Sequence, residues 1–324
     1  MALKGILNTS LCAAIVLSVP AGVLGQQFPT KPIRMVVPFS AGSGTDILAR
    51  IVAQKMSENW GQQVVVDNRP GVGGTLAARI VINSNPDGHT LMMVSTGHAA
   101  NATLYRKLSY DTVRDFAGIS LVASTPNLLV VGSGSAVRSV KELIALAKSR
   151  PGQLTFASAG YGSGAHLNGE QFKLAAGIDI THVSFRGAPE SLLDVITGRV
   201  NFLFTPIVAA LPFVKDGRAI ALAVSTITRT PLLPEVPTIA EVALPGFEFD
   251  MWFGLLAGAK TPKALRDRLS QEVARIMHLQ DVKDRIASLG GVPRTNTPEQ
   301  FDAFIRAEVE KLGKVIKTVG TYAD

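Results

Sequence analysis

"IRMVVPFSAGSGTDILARIVAQKMSENW", residues 33–60, passes from an apolar run through a loop of small residues into a helical pattern. The run 33–39 is almost continuously apolar, as in a strand covered by helices on both faces. Beyond the loop, Leu48, Val52, Met56 and Trp60 fall on an i+4 ridge beside Ile47 and Ile51, the spacing of an amphipathic helix. "QVVVDN" supplies a second strand, a small-residue helix follows "RPGVGG" near 75–82, and "HTLMMVS" (89–95) supplies a third strand. Strand and helix alternating at this spacing predict right-handed crossovers and a parallel sheet.

The rhythm breaks around "STPNLLVV" (124–131) and then resumes. "SVKELIALAKSR" reads as a helix, "QLTFAS" as a strand, "GSGAHLNGEQFKLAAG" as a helix and "ITHVSF" as a strand. "APESLLDVITG" has Pro189 near the first helical position and Gly198 just past the end, and "VNFLF" and "RAIALAVS" add strands. In the last third, one helix is expected to start with Thr261 as N-cap and Pro262 in the first turn; in another, Gln300 completes a capping box. "MWFGLLAG" (251–258) reads as a buried strand at which the chain crosses back. The expected division is 1–25 as a leader, 26–123 with 251–324 as domain 1, and 124–250 as domain 2.

Composition supports a packed globule: 47% of the 324 residues are hydrophobic and only 18% are charged. "MALKGILNTSLCAAIVLSVPAGVLGQ" has the form of a secretory signal peptide, with Val23 and Gly25 suited to positions −3 and −1 and cleavage expected between Gly25 and Gln26. The expected location is the periplasm. The only cysteine, Cys12, lies in the leader, so a mature chain has no disulfide to form. Lys and Arg are scattered without runs or interleaved aromatics, which argues against nucleic-acid binding and fits a mild preference for anions.

In parallel α/β sheets, ligands sit beyond the carboxyl ends of the strands, where helix N-termini turn free N–H groups outward. "PFSAGSGTD" (38–46) and "SAGYGSGAH" (158–166) are matching loops of this kind, one in each unit. Ser43 or Thr45 can cap the first helix, with Asp46 in its first turn. Neither GxGxxG nor GxxxxGK[ST] occurs, and "RPGVGG" reads as a plain strand-to-helix turn. Ser163 stands near His166 without the GxSxG elbow of a hydrolase, and His89, His98, His182 and His278 lack metal-ligand spacing. No cofactor and no metal are expected. Arg186, at a strand end before Gly187, is suited either to clamping a carboxylate or to standing solvated; Thr205 is either a polar contact or a turn residue.

Taken in order, "FPTKPIRMVVPFSAGSGTDILAR", "VVVDNRPGVGGTLAA", "HVSFRGAPESLLDVITGRVNFLF", "PTIAEVALPGFEFDMWFGLLAGAKTP" and "FIRAEVEKLGKVIK" resemble the Bug-type extracytoplasmic solute receptors of tripartite tricarboxylate transporters. The match runs over essentially the whole mature chain. It implies an α/β fold of two domains, a Venus flytrap closing on a small carboxylate, working as a monomer without catalysis and delivering to integral-membrane transporter subunits. Carried over residue by residue, first-domain contacts fall on Phe39, Ser40, Ala41, Gly42 and Ser43 and on Ser95, Thr96 and His98. Second-domain contacts fall on Ser158, Gly160, Gly162 and Ser163, with His166, Arg186, Gly187 and Thr205 nearby, while Asp46 organises its loop. Family members that take amino acids often carry Asp where this chain has Thr205, so a di- or tricarboxylate or an aromatic carboxylate is favoured over an amino acid. The loop "AGSGTD" also departs from the family's usual Gly-Gly pair. Two other readings are a ligand-dependent sensor for a membrane signalling partner and an exported serine hydrolase acting through Ser163.

Overall fold

The computed structural model describes Met1 and residues 28–323; the expected leader lies outside the described residues. The opening stretch folds as read: β1 (Ile33–Val37) leads into α1 (Gly44–Trp60), followed by β2 (Val64–Asn68), α2 (Thr75–Ile82), β3 (Thr90–Ser95) and α3 (Gly97–Leu104). Strand β1 lies between β2 and β3 and runs parallel to both. Its residues Met35 and Val37 face Leu48, Ile51 and Met56 of α1, while Val36 faces Ala77 and Val81 of α2. Helices thus cover both faces of the sheet, which is why the strand carries no polar alternation.

The break expected around 124–131 is absent. A single strand of 17 residues, β4 (Phe116–Gly132), runs straight through it. Then follow α4 (Val140–Ser149), β5 (Thr155–Ser158), α5 (Gly164–Ala176), β6 (Thr181–Ser184), α6 (Ala188–Ile196), β7 (Phe202–Pro206), α7 (Ile207–Lys215), β8 (Ala219–Val224) and α8 (Ile239–Val242). Strand β9 (Asp250–Gly258) returns antiparallel between β3 and β4, and α9 (Lys263–His278), α10 (Gln280–Ser288), β10 (Val292–Pro293) and α11 (Pro298–Val319) complete the fold. From Phe116 to Pro126, β4 pairs with β9; from Asn127 onward it pairs with β7 and β8. The change of partner falls at Pro126, a residue with no N–H to give to either ladder. Strands β5 and β6 then extend the second half in parallel to β7.

Two expected caps resolve differently. Thr297 caps α11, and Gln300 returns the bond to the Thr297 N–H, forming the capping box. Thr261 is not a cap: α9 begins two residues later with Pro262 at the N-cap and no side-chain cap. Thr261 is buried and its N–H is bonded to the Gly258 carbonyl, so the residue ends the preceding turn instead of opening the helix. Along α11, Phe301, Ile305, Leu312 and Ile316 pack with Ala99, Ala100 and Leu104 of α3, and Trp252 Nε1 of β9 donates to Glu308 at 2.9 Å. The last helix is thereby fixed to the first half of the sheet.

Candidate ligand-binding site

The two glycine-serine loops lie on opposite walls of one cleft and are built alike. Ser43 Oγ accepts the N–H of Asp46, and Asp46 Oδ2 reaches back to accept the N–H of Gly42 at 2.9 Å. In the second loop, Ser163 Oγ accepts the N–H of His166, and His166 Nδ1 accepts the N–H of Gly162 at 3.2 Å. Gly42 and Gly162 adopt φ of 80° and 75°, the left-handed backbone that lets each loop turn into its helix. The sequence reading paired these loops by composition; the structure adds that the third helical residue of each braces the turn.

Asp46 is 2% exposed, and its side chain bonds to Gly42 of its own loop, Arg50 of α1 and Asn68 of β2, all in the first half. Burial alone pushes its pKa up. Hydrogen bonds from Arg50, Gly42 and Asn68 overcome this and hold it below the ordinary carboxylate value. Asn68 Nδ2 also donates to the Phe39 carbonyl at 3.0 Å, so the acid organises the whole turn from β1 to α1.

The first loop touches the opposite half at the segment after β6. Ser40 Oγ donates to Glu190 Oε1 at 2.7 Å, and the Ser40 N–H points to the Arg186 carbonyl at 3.4 Å. Gly187 packs on Ser40 so closely that a Cβ there would meet the Ser40 Cβ at 2.8 Å. Ser40, expected as a ligand contact, instead gives its hydroxyl to the opposite half, a partner 150 residues away in sequence.

Beside this contact lies a cavity of about 370 Å³. Pro38, Phe39, Gly71, Gly73, Gly74 and Tyr105 line it from the first half, Ala159, Gly160, Tyr161, Ser184, Phe185 and Arg186 from the second. Ala323 closes one side, its N–H bonded to the Leu104 carbonyl. Of the expected site residues, Phe39, Gly160 and Arg186 line the cavity, and a narrow recess sharing Phe39 and Gly73 is lined by Ser95 and His98. Ala41 and Gly42 are exposed at the loop tip. Thr96 is buried and occupied: its Oγ1 accepts the Trp252 N–H. Ser158 Oγ shares a 2.6 Å hydrogen bond with His182 Nε2. Thr205 is 1% exposed and its hydroxyl has no partner.

The 71–74 loop, Tyr105 and Phe185 are wall elements not expected from the sequence, whereas Tyr161 lies inside the expected contact range 158–163. The loop at 71–74, taken as a plain turn, is one wall of the cavity; at Gly73 (φ 60°) a Cβ would land on the Tyr161 carbonyl and the Tyr105 hydroxyl. Tyr105 and Tyr161 stand on opposite halves, and Tyr105 is pushed up to about 12 by burial and by the neighbouring Tyr161 phenol. Phe185 completes the apolar lining. For the 71–74 loop and Phe185, the position just past the ends of β2 and β6 was the available signal; Tyr105 follows α3 and had none of this kind.

Arg186 is the only charged residue lining the cavity, and its guanidinium makes no hydrogen bond or ion pair among the described residues. Ser163 offers nothing comparable to a nucleophile, because its oxygen caps α5 and no imidazole nitrogen bonds to it. No group of three or more His, Cys, Asp or Glu side chains among the described residues could hold a metal ion.

A family profile described as the tripartite tricarboxylate transporter family receptor matches residues 48–321. The chain belongs to this family. BugT of Bordetella pertussis is 32% identical over 304 residues, covering 93% of each chain. The solved structure of R. palustris Rpa4515 with adipate superposes with a TM-score of 0.88 at 36% identity, covering 91% of this chain and 99% of the other. That of MatC from Rhodopseudomonas palustris with bound malate gives 0.84 at 32%, covering 89% and 100%. The chain is therefore a Bug-type receptor of the tripartite tricarboxylate class with the two-domain Venus-flytrap fold expected of it. No helix among the described residues is long and apolar enough to cross a membrane.

The imidazoles around the cleft make a pH prediction for the receptor. His98 is fully buried, its Nε2 bonded to the Thr112 carbonyl at 2.9 Å, and burial lowers its pKa to about 4. An unfolded chain binds that proton from its ordinary 6.5 downward, so the folded state loses stability as pH falls from about 6.5 to about 4. The loss reaches about 2 kcal/mol near pH 5 for this one group. Urea unfolding of the native protein and of His98→Gln should show the slope reduced in the variant; equal slopes would remove His98 from the account.

Proposed function

We propose that this chain captures a small organic carboxylate outside the cytoplasm and delivers it to the membrane subunits of a tripartite tricarboxylate transporter. The observation that carries this is Arg186, an unpaired cation in the wall of a closed cleft whose lining contains no acid. A carboxylate completes its fork bidentately, while Phe39, Tyr105, Tyr161 and Phe185 cover an apolar body. The related structures named with adipate and malate support a carboxylate ligand. An ammonium group has no counter-charge in the lining, and Thr205 offers only a hydroxyl, so an amino acid is disfavoured. Export through the leader at 1–25, action as a monomer in the periplasm, and the division into 26–123 with 251–324 and 124–250 belong to the same proposal.

Thermal-shift measurements with adipate, malate, benzoate, aspartate and glutamate test it. At about 100 times its dissociation constant a ligand adds about 2.7 kcal/mol, a shift of several degrees. The organic acids are expected to raise the melting temperature and the amino acids to leave it unchanged. A shift with the amino acids alone overturns the assignment of ligand class.

A further inference from the structure

The second loop is braced by an unusual group. His166 is completely buried, its ring 4.3 Å from that of His182, 5.1 Å from Tyr161 and stacked at 10° over Phe156. Its Nδ1 accepts the Gly162 N–H, which places the proton of the neutral ring on Nε2. That Nε2 has no hydrogen-bond partner; Glu170 Oε1, on the same helix, stands 3.7 Å away. His182 Nδ1 is likewise buried and unpartnered. An apolar residue would fill this space without burying an unpaired Nε2, but it would leave the buried Gly162 N–H without its acceptor, so packing alone does not account for an imidazole here. What it supplies is the acceptor at Nδ1, in the place that Asp46 fills in the first loop.

We propose that His166 is a positioning residue of the receptor: as a neutral acceptor it fixes the Gly162 N–H, holding Gly160 and Tyr161 in the cavity wall, and its protonation releases the loop. The inference rests on the reading of this cleft as the ligand site. The chemistry of the two braces is opposite. A carboxylate stops bracing when it is neutralised, whereas an imidazole stops when it is charged, because Nδ1–H then confronts Gly162 N–H as donor against donor. The groups facing His166 favour the neutral form. Burial lowers its pKa well below 6.5 and the adjacent His182 adds to this. Glu170, which could stabilise a cation, is itself pushed up by burial, against Lys173 and Thr321. Tyr161 presents a ring edge, and Phe156 carries no charge. Gly160 is held alongside through Ser158 Oγ, which accepts its N–H at 3.1 Å and is bonded to His182.

The test is amide hydrogen exchange at Gly162, followed by NMR in the full chain without ligand and corrected for the intrinsic pH dependence of exchange. In the native protein Gly162 is expected to be protected near neutral pH and to lose protection roughly tenfold or more on acidification through the titration of His166, which lies well below 6.5. His166→Asn, whose amide oxygen can replace Nδ1 without titrating, should keep the protection throughout, and His166→Leu should lack it at every pH. Identical profiles in native and His166→Asn protein, or protection surviving in His166→Leu, would overturn the proposal. Calorimetry with adipate is a separate arm: roughly tenfold weaker binding is expected in His166→Leu, with recovery in His166→Asn. If adipate and the other organic acids bind none of the three proteins, the receptor reading fails while the exchange data still decide the role of His166.

Discussion

Replacing Arg186 by alanine is expected to weaken organic-acid binding by about thirtyfold, roughly 2 kcal/mol, and to leave the melting temperature of the ligand-free protein unchanged. The asymmetry follows from its surroundings. The guanidinium has no partner among the described residues, so its removal leaves no buried donor or acceptor behind in the fold. The interaction with a carboxylate is charge-assisted and two-pronged, and it is exposed enough to weaken with added salt. Arg186→Lys should recover only part of the affinity, because an ammonium cannot present the parallel pair of donors. Isothermal calorimetry at two salt concentrations measures all of this, and an unchanged affinity in Arg186→Ala removes the residue from the site.

The largest effect on stability is expected at Asp46. Alanine there leaves the Gly42 N–H and the Asn68 amide without their acceptor and ends the pairing with Arg50 at 2.9 Å. A buried pair broken on one side costs about 3–5 kcal/mol. Arg50 is half exposed and can turn to solvent, so the lower end, about 3 kcal/mol, is the expected loss in urea unfolding. Asp46→Asn keeps one acceptor for Gly42 and should fall between the two. The pH dependence has a definite sign. Because the folded-state pKa lies below 3.8, the contribution is complete above that value and disappears as pH falls through the lower folded one. The Asp46→Ala protein should therefore approach the native in stability only below about pH 4. A constant difference down to acid pH would mean that the carboxylate charge plays no part.

The alternation of apolar runs and amphipathic spacings made most of the fold legible, because β1, β3, β5 and β7 are buried along nearly their whole length. Strand β4 was not legible. Ser124, Thr125, Pro126 and Asn127 have the local preferences of a turn, and what keeps them extended is the handover from β9 to β7 and β8, which spacing along the chain does not encode. Of the site, the helix-start chemistry was readable because a capping hydroxyl and the N–H it accepts lie three residues apart. Ser40 and Glu190 were not, lying 150 positions apart. The wall at 71–74 reads in sequence as a plain turn, whereas its contribution is the missing Cβ at Gly73 that lets Tyr105 and Tyr161 approach.

Strand β4 crosses between the halves without a loop, and β9 runs beside it as far as the Pro126–Asp250 pair. A connection made of slack chain would let the halves drift apart in any direction. Two ribbons laid side by side resist sliding and in-plane rotation, and yield by flexing across their flat faces where cross-links between them stop. The gap should therefore widen along one arc, like a book on its spine, and Ser40 and Glu190, out at the page edge, separate first and meet last.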